Sequence, residues 1–160
     1  MRILIAGIGN MFLADDGFGV ELAQRLATHD FPDEVTVADY GISGMHLAYD
    51  LMTGYDTTIL LDATARGDAP GTVTVVELDP TQPFQGEASA VDAHGMQPEA
   101  VFELLTILGG TPGRTLLLGC EPAEITDRIG LSAPVKAALD GAARAVVELV
   151  DQELTIREGV

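Results

Sequence analysis

The sequence predicts an α/β protein, a three-layer α/β/α sandwich around a mostly parallel mixed sheet of about five strands. Short apolar runs alternate along the chain with segments of helical periodicity, which is typical of a parallel sheet covered by helices. The run at 72–78 follows the preceding strand through a link too short for a helical crossover, so we expect an antiparallel strand near an edge. With 160 residues, the chain fits a single domain, taken as residues 1–160.

The individual elements are placed by apolar spacing and by turn-forming residues. Strands are predicted at residues 3–6, 34–39, 57–61, 72–78 and 115–119. Helices are predicted at about 20–27, 44–52, 98–108 and 133–153. The run at 57–61 is the most hydrophobic, so we expect it at the centre of the sheet. We also expect Ser132 to cap the last helix, the tail to fray after Leu154, and residues 79–96 to form a long irregular loop.

Composition excludes several classes of partner. The formal net charge is -17 and only eight residues are Lys or Arg, so a nucleic-acid partner is not expected. No basic amphipathic segment favours a membrane surface, and the apolar run ending at Gly7 is too short for a signal segment or a membrane span. We therefore expect a cytoplasmic protein without membrane insertion. Cys120 is the only cysteine, which rules out an internal disulfide or a thiolate metal cluster within one chain.

A glycine-containing loop follows the first strand, but it does not fit a dinucleotide site. The nucleotide fingerprint needs a third glycine three residues after Gly9, and Phe12 occupies that position. About ten residues also separate Gly7 from the predicted helix, too many for a phosphate to sit at the helix end. The loop therefore serves another purpose.

Acidic residues follow two of the predicted strands. Asp15 and Asp16 stand at the expected start of the first helix, where one carboxylate is enough to cap it and the other is left unexplained. Asp62 ends the central strand, where open α/β sheets bind ligands. It is either a ligand-binding or catalytic group, or a cap for the next loop.

His94 lies in the irregular stretch, just before a helix expected to pack over the same edge of the sheet. A histidine in a loop is usually an ordinary surface residue, and His29 and His46 fit that description better. Asp16, Asp62 and His94 can nevertheless converge on one edge. Two carboxylates and an imidazole suit a divalent metal with open positions for water or substrate, so these three residues are the predicted catalytic and metal-binding site.

Several motifs resemble those of the hydrogenase maturation proteases. Residues 7–19 (GIGNMFLADDGFG) resemble the N-terminal signature of that family, and residues 39–45 (DYGISGM) resemble its second signature. Further matches in family order are Leu61-Asp62-Ala63, His94, 119–122 (GCEP) and 129–132 (IGLS). The resemblance implies a phosphorylase/hydrolase-like three-layer sandwich and a metal site formed by Asp16, Asp62 and His94. The first ligand is Glu in some members, so Asp16 is shorter by one methylene.

The resemblance also implies a substrate and a reaction. Such enzymes are endopeptidases that remove the C-terminal extension of a nickel–iron hydrogenase large-subunit precursor after nickel insertion, so nickel would be carried by the substrate rather than held as a resident cofactor. The metal would polarise the scissile carbonyl or a bound water while a carboxylate positions or deprotonates that water. Two alternatives are a resident-metal peptidase or hydrolase with the same site, and a non-catalytic nickel-sensing assembly module.

Three further residues or segments have two interpretations each. Asp15 could assist the reaction or cap the helix. Residues 41–44 could let backbone approach the substrate, because glycine tolerates close contacts, or they could form an ordinary turn. Cys120 is expected to be a small buried apolar residue rather than a nucleophile, since no histidine partner is evident in the sequence.

Overall fold

The computed structural model describes residues 1–79 and 98–158 and contains a five-stranded sheet between two helical layers. The strands are β1 (Ile3–Ile8), β2 (Val35–Gly41), β3 (Thr57–Ala63), β4 (Val73–Leu78) and β5 (Arg114–Cys120). The helices are α1 (Phe18–Leu26), α2 (Gly44–Leu51), α3 (Pro98–Ile107) and α4 (Ala133–Glu158). A 3-10 turn, Ala14–Gly17, precedes α1. The predicted three-layer α/β/α architecture is confirmed.

The order of the strands in the sheet is β2-β1-β3-β5-β4. The pairs β1–β2, β1–β3 and β3–β5 are parallel, whereas β4 pairs antiparallel with β5 at the edge. Both expectations about topology are therefore correct: β3 is central, and the strand reached through the short link at 64–72 runs antiparallel at an edge.

Helices cover both faces of the sheet, which explains why its inner strands are largely buried and rich in apolar residues. Every residue of β1 is buried. Ile3 and Ile5 pack into the core beneath α1 and α4, while Leu4 and Ala6 pack beneath α2 and α3. Burying each large aliphatic side chain contributes about 1.5–3 kcal/mol. A strand buried on both faces cannot alternate with polar residues, so β1 has a continuous hydrophobic run.

Parallel strands joined by helices bring their carboxyl ends to one edge of the sheet, here called the carboxyl edge. The 3-10 turn and the start of α1 lie on this edge, in contact with β3. The approach is close at Gly19, where an added Cβ would overlap with the carbonyl oxygens of Leu61 and Ile8. Glycine at position 19 therefore allows the start of α1 to lie directly against the ends of β1 and β3.

The last helix differs from its prediction. We expected fraying after Leu154, but α4 continues to Glu158. Glu153 is buried near the end of this helix, where it accepts a hydrogen bond of 3.0 Å from Thr57 Oγ1 and forms an ion pair of 3.0 Å with Arg114 Nε. Leu154 packs against the core. These contacts hold the last turns of α4 against the sheet. None of the helices in residues 1–79 and 98–158 is long and apolar enough to cross a membrane.

Candidate active site

Asp16 lies on the 3-10 turn at the carboxyl edge, and its side chain is largely withdrawn from water, with 6% of the residue exposed. Its Oδ2 accepts a hydrogen bond of 2.7 Å from the backbone amide of Asn10. Within residues 1–79 and 98–158, no other hydrogen bond to this carboxylate is present. Burial raises the pKa of Asp16, and the bond from Asn10 only partly opposes it. This carboxylate is poorly solvated and weakly compensated, as is typical of functional carboxylates.

The backbone around Asp16 has an unusual conformation. Ala14 has a φ of 52°, in the left-handed region that a residue with a Cβ seldom adopts. Gly9 has a φ of 127°, and a Cβ at that position would overlap with the carbonyl oxygen of Asp16. A glycine is therefore required where the first signature loop folds back over the turn.

The two acids do not cap α1, although the sequence left this role open for either of them. The helix begins at Phe18 with Gly17 as its N-cap residue, and no side chain caps it. The reason is geometric: Asp15 and Asp16 belong to the preceding 3-10 turn, and their carboxylates point to other backbone amides.

Asp15 is fully buried, and its hydrogen bonds come from the loop after β5. Its Oδ2 accepts from the amides of Ala123 and Glu124, at 2.8 and 3.1 Å, and from Ser132 Oγ at 2.8 Å. Its Oδ1 accepts from the Ser132 amide at 2.7 Å. Burial alone would raise the pKa of Asp15, but these hydrogen bonds outweigh it and the pKa lies below the ordinary value. Asp15 therefore holds residues 121–132 against the 3-10 turn.

Asp62 is the next-to-last residue of β3 and pairs with Gly119 of β5. It is 9% exposed, and its Oδ1 accepts a hydrogen bond of 2.9 Å from the amide of Ala63. Because the 3-10 turn contacts β3, Asp16 and Asp62 both lie at the carboxyl edge, as expected from the sequence.

His94 lies outside the described residues, so its place in the site stays a prediction. In the part of the chain that is described, no three His, Cys, Asp or Glu side chains come together as a metal site. His29 is exposed beyond the end of α1, with its ring 4.5 Å from that of Phe31. His46 is exposed on α2, 3.6 Å from Asp50. Both histidines are surface residues, as the sequence indicated.

The second signature, residues 39–45, spans the end of β2, the following turn and the start of α2, and it contacts the first signature loop. Gly41 has a φ of 56°, and its carbonyl accepts a hydrogen bond of 2.9 Å from the amide of Gly9. The hydroxyl of Tyr40 donates to Asp50 Oδ2 at 2.6 Å, and Ser43 Oγ caps α2 by accepting from the His46 amide. The turn is thus held next to the loop that carries Asp16.

Glu121 is a buried carboxylate to which the sequence analysis gave no role. Its two oxygens accept hydrogen bonds from the amides of Arg66 and Gly67, at 2.7 and 2.8 Å. It therefore orders the loop that follows Asp62. The sequence offered one signal for this role, the position of Glu121 in the GCEP motif. That signal was not sufficient, because an acid directly after a strand can equally well be exposed.

Cys120 is fully buried at the end of β5. Burial, together with the nearby negative charges of Asp15 and Glu121, raises the pKa of the thiol to about 11. A thiol with so high a pKa forms almost no thiolate near neutral pH, so it is a poor nucleophile. The expectation that it is a buried apolar residue is confirmed.

Large apolar side chains are exposed on the loops around the two carboxylates. Phe12 and Met11 lie between β1 and the 3-10 turn, with Phe12 61% exposed. Ile42 and Met45 lie on the second signature, and Ile129 on the loop after β5. Exposed apolar side chains mark a binding surface when they form one contiguous patch, whereas single ones are ordinary. We call these five residues the apolar rim.

The fold and the site together define an α/β protein with four buried acids, Asp15, Asp16, Asp62 and Glu121, at the carboxyl edge of its sheet. Comparison with known proteins gives the family. The hydrogenase maturation protease family model matches residues 20–149. The hydrogenase expression/formation protein HupD of Rhizobium leguminosarum is 34% identical over 151 residues, covering 93% of this chain and 74% of the relative. The hydrogenase 2 maturation protease of Escherichia coli is 30% identical over 149 residues, covering 92% and 89%.

Solved structures agree with the sequence relatives. The hydrogenase maturating endopeptidase HybD from E. coli superposes with a TM-score of 0.77 at 29% identity, covering 96% of this chain and 94% of that one. The solution structure of an endopeptidase from E. coli gives a TM-score of 0.82 at 28% identity with the same coverage. The chain belongs to the hydrogenase maturation protease family, and it is accordingly a hydrolase of the endopeptidase class.

Proposed function

We propose that this endopeptidase removes the C-terminal extension of a nickel–iron hydrogenase large-subunit precursor once nickel has been inserted, using Asp16, Asp62 and His94. Family membership supports the class of substrate, because maturation proteases act on hydrogenase large-subunit precursors. The observation that carries the choice of site is the burial of the Asp16 carboxylate beside the end of β3, with one hydrogen bond to a backbone amide. We also propose that processing takes place in the cytoplasm.

Nickel belongs to the substrate in this proposal. The donors available for it are the carboxylate oxygens of Asp16 and Asp62, and carboxylates bind divalent first-row metals. Cys120 does not contribute a thiolate, since it is buried as a thiol of raised pKa. A set of oxygen donors completed by the His94 imidazole would hold nickel weakly enough to release it with the product.

The side chains of this protease have two tasks in the reaction. Asp16 is the group best suited to position a water and accept its proton, because its buried carboxylate accepts a single hydrogen bond among the described residues. Asp62, fixed at the end of the central strand, orients the same water or the metal-bearing end of the substrate. When bound, nickel supplies Lewis acidity to the scissile carbonyl.

The apolar rim offers a place for the peptide next to the bond that is cut. Phe12 and Ile129 are brought together because the Arg128 amide donates to the Phe12 carbonyl. Ile42 is brought to the same edge by the hydrogen bond between Gly9 and Gly41. We infer that apolar side chains of the substrate contact these residues while its nickel approaches the carboxylates.

Incubation of the purified chain with purified precursor tests the proposal. Mass spectrometry should show a shortened large subunit when the precursor carries nickel, and no change when it does not. Protein prepared without added metal should contain almost none. Binding of the nickel-loaded precursor without shortening would favour an assembly module, whereas stoichiometric, tightly held zinc in the active protein would favour a resident-metal peptidase.

A further inference from the structure

The loop after β5, residues 121–132, is attached to the segment that carries Asp16. We propose that Asp15 is the positioning residue of the site: by holding this loop against the 3-10 turn, it keeps Asp16 in its place at the carboxyl edge. The inference rests on the proposed function, since it assigns Asp15 a part in the same reaction. Asp15 itself does not touch the substrate, because both of its carboxylate oxygens accept hydrogen bonds from the loop.

Backbone hydrogen bonds extend the attachment on either side of Asp15. The Ala14 amide donates to the Arg128 carbonyl at 2.6 Å, and the Arg128 amide donates to the Phe12 carbonyl at 3.1 Å. The Asp15 amide donates to the Glu124 carbonyl at 3.2 Å. An ion pair between Arg128 and Glu124 closes the loop on itself. Residues 12–15 are therefore held along their whole length by the loop after β5.

Asp16 depends on this attachment because its side chain has few hydrogen bonds of its own among the described residues. Its carboxylate has the single hydrogen bond from Asn10 among the described residues, so the backbone of the turn sets its position. That backbone includes Ala14 in the left-handed region, a conformation that persists only where surrounding contacts enforce it. Asp15 follows Ala14 directly, and the four hydrogen bonds to its charged carboxylate are contacts of this kind.

A carboxylate is required at position 15 for a specific reason. Its Oδ1 faces the Ser132 amide, and its Oδ2 faces the amides of Ala123 and Glu124. In either orientation of its amide, an asparagine would place its NH₂ group against a backbone N–H, and two donors cannot hydrogen-bond to each other. The conservative exchange Asp15→Asn should therefore loosen the loop even though it preserves the shape of the side chain.

Two variants and two controls test the proposal with the full chain and nickel-loaded precursor. Asp15→Asn removes the carboxylate, and Ser132→Ala removes one of its four hydrogen bonds. Thr28→Ala is the control for Ser132→Ala. It removes a hydroxyl beyond the end of α1 that donates a hydrogen bond of the same length, 2.8 Å, to the Arg25 carbonyl. Asp16→Asn marks the loss of the working carboxylate. The readouts are kcat and KM per folded molecule, and the exchange rate of the Asn10 amide proton measured by NMR.

Ser132→Ala should lower kcat roughly tenfold and Asp15→Asn at least about a hundredfold, with KM within about twofold of wild type, while Thr28→Ala changes neither constant. In both Asp15→Asn and Ser132→Ala, the Asn10 amide should exchange faster than in Thr28→Ala. Unchanged kcat and unchanged exchange in Ser132→Ala would overturn the inference, even if Asp15→Asn fails to fold. If wild type cuts no precursor, the proposed function fails, and the exchange of the Asn10 amide still decides the role of Asp15.

Discussion

Asp15 and Asp16 are consecutive buried residues, but their pKa values are shifted in opposite directions. Asp15 accepts four hydrogen bonds from the loop after β5, and its pKa is lowered. Asp16 accepts one bond from a backbone amide, and burial raises its pKa. The first acid is stabilised as a carboxylate and holds structure together. Ionisation of the second acid is disfavoured by its burial, as expected of a group that serves the reaction rather than the stability of the fold.

Asp16→Asn should make the protein more stable near pH 7. The pKa of Asp16 is higher in the folded protein than the ordinary value of 3.8, so the folded state binds more protons and the free energy of unfolding falls as pH rises through these values. Ionised Asp16 therefore destabilises the fold at neutral pH. Chemical denaturation should show a gain of about 0.5–2 kcal/mol, which shrinks as pH is lowered toward 3.8.

Asp15→Asn should lower the free energy of unfolding near pH 7, whereas Asp16→Asn raises it. The pKa of the Asp15 carboxylate is lowered in the folded state. Its stabilising contribution to folding is therefore complete above pH 3.8, the ordinary pKa, and is lost as pH falls through the pKa of the folded state. A loss of about 2–4 kcal/mol is expected near pH 7. If the two variants shift stability in the same direction at neutral pH, the division of roles between the acids is wrong.

Gly19→Ala should lower both stability and activity. A methyl group there overlaps with the carbonyl oxygens of Leu61 and Ile8, so α1 must move away from β3 and carry the 3-10 turn with it. The expected cost is about 1–3 kcal/mol or more, together with a lower kcat. Thermal unfolding and precursor cleavage check both effects.

The matched control for this change is Gly141→Ala. Gly141 lies within α4, and a Cβ there meets only the end of the Arg144 side chain at 3.8 Å. Alanine should therefore stabilise the helix by up to about 1 kcal/mol and leave cleavage unchanged. Equal effects of the two substitutions would show that Gly19 has no special place at the carboxyl edge.

Cys120→Ala should leave cleavage unchanged. The thiol is buried and its pKa is raised to about 11, so it contributes packing rather than chemistry. The expected cost is about 1 kcal/mol of unfolding free energy, from a lost sulfur contact in the core. Loss of activity in a variant that is fully folded would revive the idea of a cysteine nucleophile.

Much of the fold could be predicted from the sequence because it depends on local patterns. Helices cover both faces of strand β3, so it is buried at almost every position, and the continuous apolar run at its middle, residues 59–61, placed it at the centre of the sheet. The short link before β4 required an antiparallel edge strand. The end of α4 was predicted wrongly because its last turns are held by Glu153, whose partners Thr57 and Arg114 lie far away in the chain.

The site was predictable in outline only. Strand ends indicated where Asp16 and Asp62 would lie, but the different roles of Asp15 and Asp16 depend on amides from residues 123–132, more than a hundred positions later. The role of Glu121 likewise depends on Arg66 and Gly67. Long-range contacts of this kind leave no periodic signal in a single sequence. His94 stays a prediction.

The most direct test of the account is cleavage of the nickel-loaded precursor by Asp16→Asn, with His29→Ala as the control. The shortened large subunit is quantified by mass spectrometry in a single turnover with excess enzyme. Asp16→Asn should be folded and slower by at least about a thousandfold, while His29→Ala should match wild type, because His29 is exposed beyond α1. Normal processing by Asp16→Asn would contradict the assignment of the site.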